Sequence, residues 1–355
     1  MPNNGEGENS ERRIKDLLGL VKFCLETTSK EDATGQTPSN FEPMDPDRRA
    51  WLQQAINSMT VDTTRQLLEN LATVKETISQ MEKDNNHNVA VQKTCDSLGI
   101  LTDLCEGIDY AVDFAKLDGF TIFRPLIGCA HEEMIVKACE LIAALAQNNP
   151  MCQTTAVQTR VLEKLIDFVH IKEDSLHIKA RSYALYAISS IVRSNPEVRG
   201  HFEGQLDGLS VLLNLLDHQP MDKALEARTK GEGDARKLWW RKLRIRSVFP
   251  FRTLCSESIT SSLFFYDKQA IKRITKQLES CQDLEIREHL LSALKAFLSS
   301  LNTTKQVESL RLVPNLKELV TKIRNSSDSS GDEYDLTDTR TTCGELLDLI
   351  NGTSR

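Results

Sequence analysis

Residues 132–196 read EEMIVKACELIAALAQNNPMCQTTAVQTRVLEKLIDFVHIKEDSLHIKARSYALYAISSIVRSNP, and this stretch decides the fold. Ile135, Cys139, Ile142 and Leu145 recur every three or four residues, the period of an apolar helix face, until the chain breaks at Asn149-Pro150. Ile178, Leu185, Ile188 and Ile191 repeat the pattern, and Asn195-Pro196 repeats the break. The two prolines stand 46 residues apart, at 150 and 196. After each break comes a short segment, then a new apolar helix opening near Val161 or Gly208. A helix–break–helix unit at this period cannot bury its apolar face alone, so successive units must stack.

A period in the low-to-middle forties fits three-helix units of the armadillo type. The expected fold is therefore all-α: an armadillo-like helical repeat solenoid with helical caps and flexible termini. Working outward, residues 1–42 form an N-terminal segment with one short amphipathic helix, Ile14–Leu25, on a linker rich in Thr, Ser, Gly and Pro. Residues 43–323 form the repeat domain. It opens at MDPDRRAWL, where Asp45 suits an N-cap and Pro46 the first helical position. Residues 324–355 make an acidic, serine-rich tail with a final short helix from Cys343 to Ile350.

One unit departs from the pattern. ALEARTKGEGDARKLWW, residues 224–240, is polar and glycine-bearing where other units need only a short connection. It reads as an insertion of roughly 15–20 residues, long for such a loop. Pro250 is also anomalous, because proline inside a helix removes a hydrogen bond and costs roughly 3 kcal/mol.

Composition narrows the function classes. The 355 residues are 40% hydrophobic and 27% charged, with a formal net charge of −7. That balance suits a soluble protein and argues against a nucleic-acid coat. No run of 18 apolar residues suggests a membrane span, and the polar start MPNNGEGENSERR lacks an apolar signal core, so the expected location is the cytosol, with the nucleus open. Nine scattered cysteines without a close pair read as reduced core thiols. The seven histidines do not pair with them at zinc-ligand spacing.

No phosphate-cradling loop, GxSxG elbow or HExxH helix is present, so no catalytic residue, metal or cofactor is expected, and binding is favoured over catalysis. A solenoid offers a groove lined by the third helix of each unit. Removing the apolar stripe leaves Lys137 and Glu140 in one unit and Lys179 and Tyr186 in the next. Ala144 and Ser190 fall on the same faces, and Arg246, Phe249 and Arg252 follow after the insertion. Tyr186 and Phe249 are the anchors of choice, since aromatics on a polar face often hold partners. Lys230 to Arg246 carries seven basic residues beside Trp239 and Trp240. In so acidic a chain they read as an inserted loop without a role of its own.

Several blocks resemble the nucleotide exchange factors of the Fes1 and Hsp70-binding-protein type. These are LLGLVKFCLETTS, NFEPMDPDRRAWLQQAINSMTVD, DSLGILTDLCEGIDYAVDFAKLDGF, ALYAISSIVRSNPEV and SVFPFRTLCSES, covering roughly residues 14–323. The resemblance implies an armadillo module whose concave face grips the nucleotide-binding domain of a heat-shock-70 chaperone and releases ADP. It also implies that the N-terminal segment helps free client from the chaperone's substrate site. Lys137, Glu140, Lys179, Tyr186, Arg246, Phe249 and Arg252 carry over as partner-binding positions of a monomeric, non-enzymatic co-chaperone without nucleic-acid or membrane partners. The 224–240 insertion, Pro250 and an extra turn at Arg181–Tyr183 depart from the family pattern. The alternative is a nuclear-import-type adaptor holding peptide cargo. That class needs regular groove tryptophans and asparagines, which Glu140, Tyr186 and Phe249 do not supply.

Overall fold

A computed structural model describes residues 46–47, 50–51, 63–84, 90–170, 177–216, 233–329 and 336–352. The helix expected over 14–25, its linker and the rest of 1–42 lie outside these residues, as do 224–232 of the insertion. Two compact units separate, Met1–Gln66 and Leu67–Arg355. In the first, Pro46, Asp47, Ala50 and Trp51 are helical and exposed. The second is an all-α armadillo-like solenoid; among the described residues every regular element is a helix.

The solenoid opens with α1 (Thr63–Asp84) and α2 (Val91–Cys105). A first full repeat follows in α3 (Ile108–Lys116), a 3-10 turn (Gly119–Ile122) running into α4 (Phe123–Ile127), and α5 (Glu132–Ala146). The second is α6 (Pro150–Gln158), α7 (Val161–Val169) and α8 (Ile178–Val192). The third is α9 (Pro196–Gly204), α10 (Gly208–Leu216) and α11 (Gly233–Glu257). The fourth is α12 (Ile259–Asp267), α13 (Ala270–Ser280) and α14 (Leu284–Ser300). The last is α15 (Thr303–Arg311), α16 (Leu316–Ser329) and α17 (Thr337–Gly352). Six long helices, α2, α5, α8, α11, α14 and α17, pack each on the next as a ladder.

Local chemistry sets the repeat boundaries. Asn149 and Asn195 each accept the amide three residues on, from Cys152 and Val198, both at 3.2 Å. Ser258 and Asn302 do the same for Ser261 at 3.2 Å and Lys305 at 3.0 Å. The Asn-Pro breaks are thus N-caps with proline in the first turn, where its missing N–H costs nothing. Between the first and second helices, Asp118, Arg160, Asp207 and Gln269 all adopt left-handed backbone, with φ between 48° and 59°. At two of these corners the next residue is glycine because a ring sits there. A Cβ on Gly119 would fall 2.4 Å from Phe114, and one on Gly208 only 2.2 Å from Phe202.

The core runs through every repeat. Phe114, Phe120 and Phe123 cluster with centroids 5.4–6.1 Å apart, and Phe251 lies 4.2 Å from Phe265 and 6.2 Å from Phe297. Polar ties join helices both within a repeat and across to the next. Buried Gln153 of α6 donates to the carbonyls of Ser190 and Arg193, both at 3.0 Å, and accepts from Asn195 at 3.0 Å. Arg199 of α9 reaches Glu257 at the end of α11 at 2.6 Å, and Glu257 also accepts the Ser194 amide at 3.1 Å. Arg241 of α11 pairs with Asp283, the N-cap of α14, at 2.5 Å and with Glu285 at 2.7 Å.

Three expectations change. The caps at 149, 195, 258 and 302 are spaced 46, 63 and 44 residues apart, so the third repeat does carry extra chain. The insertion does not extend to 240, however, because Gly233–Trp240 are the opening turns of α11. Trp240 is 7% exposed and Trp239 packs against the core, so two large rings supply the burial that the charged stretch lacks. Second, the chain after 323 is not only a tail. Residue 323 lies inside α16, and α17 docks on α14 and α16 through buried Thr339, Cys343, Leu346 and Ile350, spaced by three and four residues. Third, Ser190 is 3% exposed rather than outward, its hydroxyl turned back to donate to the Tyr186 carbonyl at 3.1 Å. Pro250 does lie within α11, buried beside Val248 and Phe251.

Candidate functional site

Among the described residues, no group of three or more His, Cys, Asp or Glu is placed to hold a metal ion. No described helix is long and apolar enough to cross a membrane. The eight described cysteines are all buried, and burial pushes the Cys95, Cys152 and Cys343 thiols up to about 11 and Cys105 to about 12. Such thiols stay protonated and are poor nucleophiles. His289, half-buried in α14, is held below its ordinary value by burial first, with Glu288 and Glu285 opposing and Arg252 assisting. Chemistry that depends on surface geometry is found instead along the helix ladder.

Each long helix turns one stripe inward and leaves its complement outward. In α5, Met134, Ile135, Ala138, Leu141 and Leu145 are buried, while Lys137, Glu140 and Ala144 stay partly exposed. Lys137 bonds Glu140 at 2.7 Å, and that bond holds the Lys137 ammonium above its usual range. In α8, Ile178, Leu185 and Ile188 go inward, and Lys179, Tyr183 and Tyr186 line the other side, Tyr186 being 38% exposed. Glu140, Ala144, Tyr183 and Tyr186 share a cleft of about 540 Å3 with Glu106 and with Ile108, itself 63% exposed.

The next helix continues the line. The Arg246 guanidinium of α11 lies 4.5 Å from the Tyr183 ring centre and 5.3 Å from that of Tyr186, and it donates to the Ser182 hydroxyl at 3.3 Å. Phe249 is half-buried, with Arg193 at 5.4 Å and Arg252 at 5.0 Å over its ring. Arg252 donates to Ser292 of α14 at 3.1 Å. With Lys295, Ser256 and Ser299, these two line a second cleft of about 550 Å3. At the other end, Lys179 stands 5.4 Å over Trp239, which lies 5.7 Å from Tyr183 and also carries Lys242 at 4.6 Å.

The structure therefore places all seven expected partner-binding residues on the long helices, in two series of neighbours. Lys137 touches Glu140, Glu140 shares a cleft with Tyr186, Tyr186 meets Arg246, and Phe249 meets Arg252. Lys179 joins through Trp239 and Tyr183. Four neighbours were missed: Tyr183, Arg193, Trp239 and Lys242. Trp239, Lys242, Arg246 and Phe249 are spaced by three, four and three residues, so the stripe ending at Phe249 could have been traced backward into the supposed loop. Arg193 sits just past the end of α8, where no periodicity reaches.

Comparison with known proteins adds a second line. The profile of the SIL1/FES1/HPBP1 C-terminal domain matches residues 110–229. Hsp70-binding protein 1 of Mus musculus is 30% identical over 217 residues, covering 59% of this chain and 57% of that protein. Its Homo sapiens counterpart is 29% identical, covering 59% and 56%. The chain thus spans a little over half the length of the curated relatives it matches. In structure, a designed armadillo repeat protein superposes with a TM-score of 0.54 at 16% identity, over 78% of this chain and 99% of its own. SYS-1 does so with a TM-score of 0.58 at 12% identity, over 81% and 50%. At such identities these two bear on the fold alone.

Proposed function

We propose that this chain, similar over part of its length to the Fes1 and Hsp70-binding-protein family, is a co-chaperone of that family acting by binding and not by catalysis. Its partner is the nucleotide-binding domain of a cytosolic heat-shock-70 chaperone, from which it speeds the release of ADP. ATP then binds and client leaves. The observation that supports a gripping face is the series of side chains from Lys137 through Glu140 and Tyr186 to Arg246, with Phe249 and Arg252 further along the same helix, laid across α5, α8 and α11. Its members are pre-ordered by ring stacking and hydrogen bonds, so little side-chain entropy is lost on docking.

The energetics require differential binding. The factor must hold the open, nucleotide-poor arrangement of the chaperone more tightly than the closed one. By linkage, it and ADP then weaken each other's affinity by the same factor. The N-terminal segment 1–42 supplies the second action, occupying the chaperone's substrate site as client leaves.

Release of labelled ADP from a purified chaperone tests the reading. The full chain should accelerate release, and Tyr186→Ala or Arg246→Glu should reduce the acceleration while helical content stays intact. Deleting 1–42 should leave ADP release nearly unchanged and slow the departure of a bound client peptide. No acceleration by the parent protein would end the exchange-factor assignment. Normal activity in both groove variants would move the contact elsewhere on the molecule.

A further inference from the structure

Cations along the seam of α8 and α11 are stacked on rings instead of paired with carboxylates. Lys179 and Lys242 both lie over Trp239, Arg246 lies over Tyr183, and Arg193 and Arg252 both lie over Phe249. None of these five forms an ion pair among the described residues. Elsewhere in the repeats, Arg199 has Glu257, Arg241 has Asp283 and Lys295 has Glu345, while Lys268 and Lys305 lie singly over Phe264 and Tyr266; only the seam gathers five such cations. With Asp and Glu exceeding Lys and Arg, 51 against 44, chance composition would favour pairing at the seam as well.

A ring holds a cation in place through its quadrupole without cancelling its charge. The N–H edges of the guanidinium and ammonium groups stay available to an acceptor. Each cation is thus fixed in position, keeps its full charge and is only half-exposed, so a carboxylate arriving there meets attraction screened less than at an open surface. From Trp239 to Arg252, α11 rises roughly 20 Å, a length that about six extended residues cover.

We propose that the α8–α11 seam binds a carboxylate-rich stretch of polypeptide on the partner protein. The proposal rests on the reading that this face is where the partner docks, and it adds the chemistry of what is recognised. A polypeptide is favoured over nucleic acid because the net charge of −7 repels a uniformly charged polyanion beyond the seam, whereas a short acidic stretch meets only the seam.

The test uses the full chain and labelled peptides of roughly eight residues, one Glu/Gly, one Lys/Gly and one Ser/Gly. Fluorescence anisotropy should show binding of the Glu/Gly peptide alone, weakening at least about tenfold between roughly 50 and 300 mM salt. Lys242→Gln combined with Arg252→Gln should weaken it at least about tenfold, with unchanged circular dichroism and thermal midpoint. If that variant does not fold, the parent still decides: tryptophan emission should shift on adding the Glu/Gly peptide and not the Ser/Gly peptide, because Lys179 and Lys242 both lie over Trp239. Failure of the acidic peptide to bind, binding indifferent to the substitutions, or tighter binding of an oligouridylate would each overturn the proposal. The two readings separate in competition with the purified nucleotide-binding domain. Peptide that binds without being displaced keeps the seam and removes the docking face. Chaperone that binds the Gln variant as tightly as the parent keeps the docking face and removes the seam.

Discussion

Single side chains in this protein show two kinds of titration behaviour, both governed by burial. The eight described cysteines are enclosed, and those with values up to about 11 or 12 present almost no thiolate at neutral pH. An aromatic disulfide reagent should therefore leave all eight unmodified in the native protein over minutes and react with them at once in denaturant, as absorbance would show. Rapid native modification of any of them, located by peptide mapping, would contradict the packing. His289 behaves oppositely to a paired histidine. Burial lowers its folded-state pKa below the ordinary value of about 6.5, so the unfolded chain takes up the proton first as pH falls. Its contribution to stability is therefore complete above about 6.5 and is lost as pH drops from there towards the folded value. Urea midpoints at about pH 7.5 and 5.5 should differ more in the parent than in His289→Gln; equal differences would mean His289 is solvated in the fold.

Among the elements, α11 joins the most conflicting demands. It follows extra chain, opens with charged residues, carries an internal proline, and still packs on both α8 and α14. Pro250 removes the bond that an ordinary residue 250 would donate to the carbonyl of Arg246, worth about 3 kcal/mol with its steric strain. Trimming the buried ring returns about 1 kcal/mol of that. Pro250→Ala should accordingly stabilise the protein by about 2 kcal/mol in urea unfolding; destabilisation would show that α11 needs its bend. At α10 the sign reverses. Gly208→Ala puts a Cβ 2.2 Å from the buried Phe202 ring and should cost about 1–3 kcal/mol. These same elements show what the sequence could and could not disclose. The Asn-Pro caps and the α5 and α8 stripes are local signals, so the repeat and the outward faces carrying Glu140 and Tyr186 were legible. The start of α11 was not, because its order comes from Trp240 burial and from Arg241 meeting Asp283, partners 42 residues apart. Arg193 was hidden for a related reason: its ring partner Phe249 belongs to the following repeat. Likewise α17 looked like a tail because four inward residues in an acidic setting are a weak pattern until α14 and α16 offer a face.

At the scale of the whole solenoid, stability is nearly a sum of repeats and of the interfaces between them. Removing residues 336–355 takes away α17 and uncovers the faces of α14 and α16 that it buries. The truncated chain should unfold at lower temperature and bind an apolar dye that the parent does not; an unchanged midpoint would make α17 dispensable. The polar ties between repeats also differ along the ladder, and that difference has a mechanical consequence. Near the middle, Gln153 is 2% exposed and its partner Asn195, at the start of the next repeat, 8%, so the bond between them is shielded from water. Towards the C-terminus, Lys295 and Glu345 have side chains 37% and 50% exposed, open to water and to salt. Stretched between its ends in an optical trap, the molecule should therefore come apart as a sequence of latches. The Lys295–Glu345 latch between α14 and α17 gives way first, at a force that added salt lowers, and the Gln153 latch yields last, at a force that salt leaves alone.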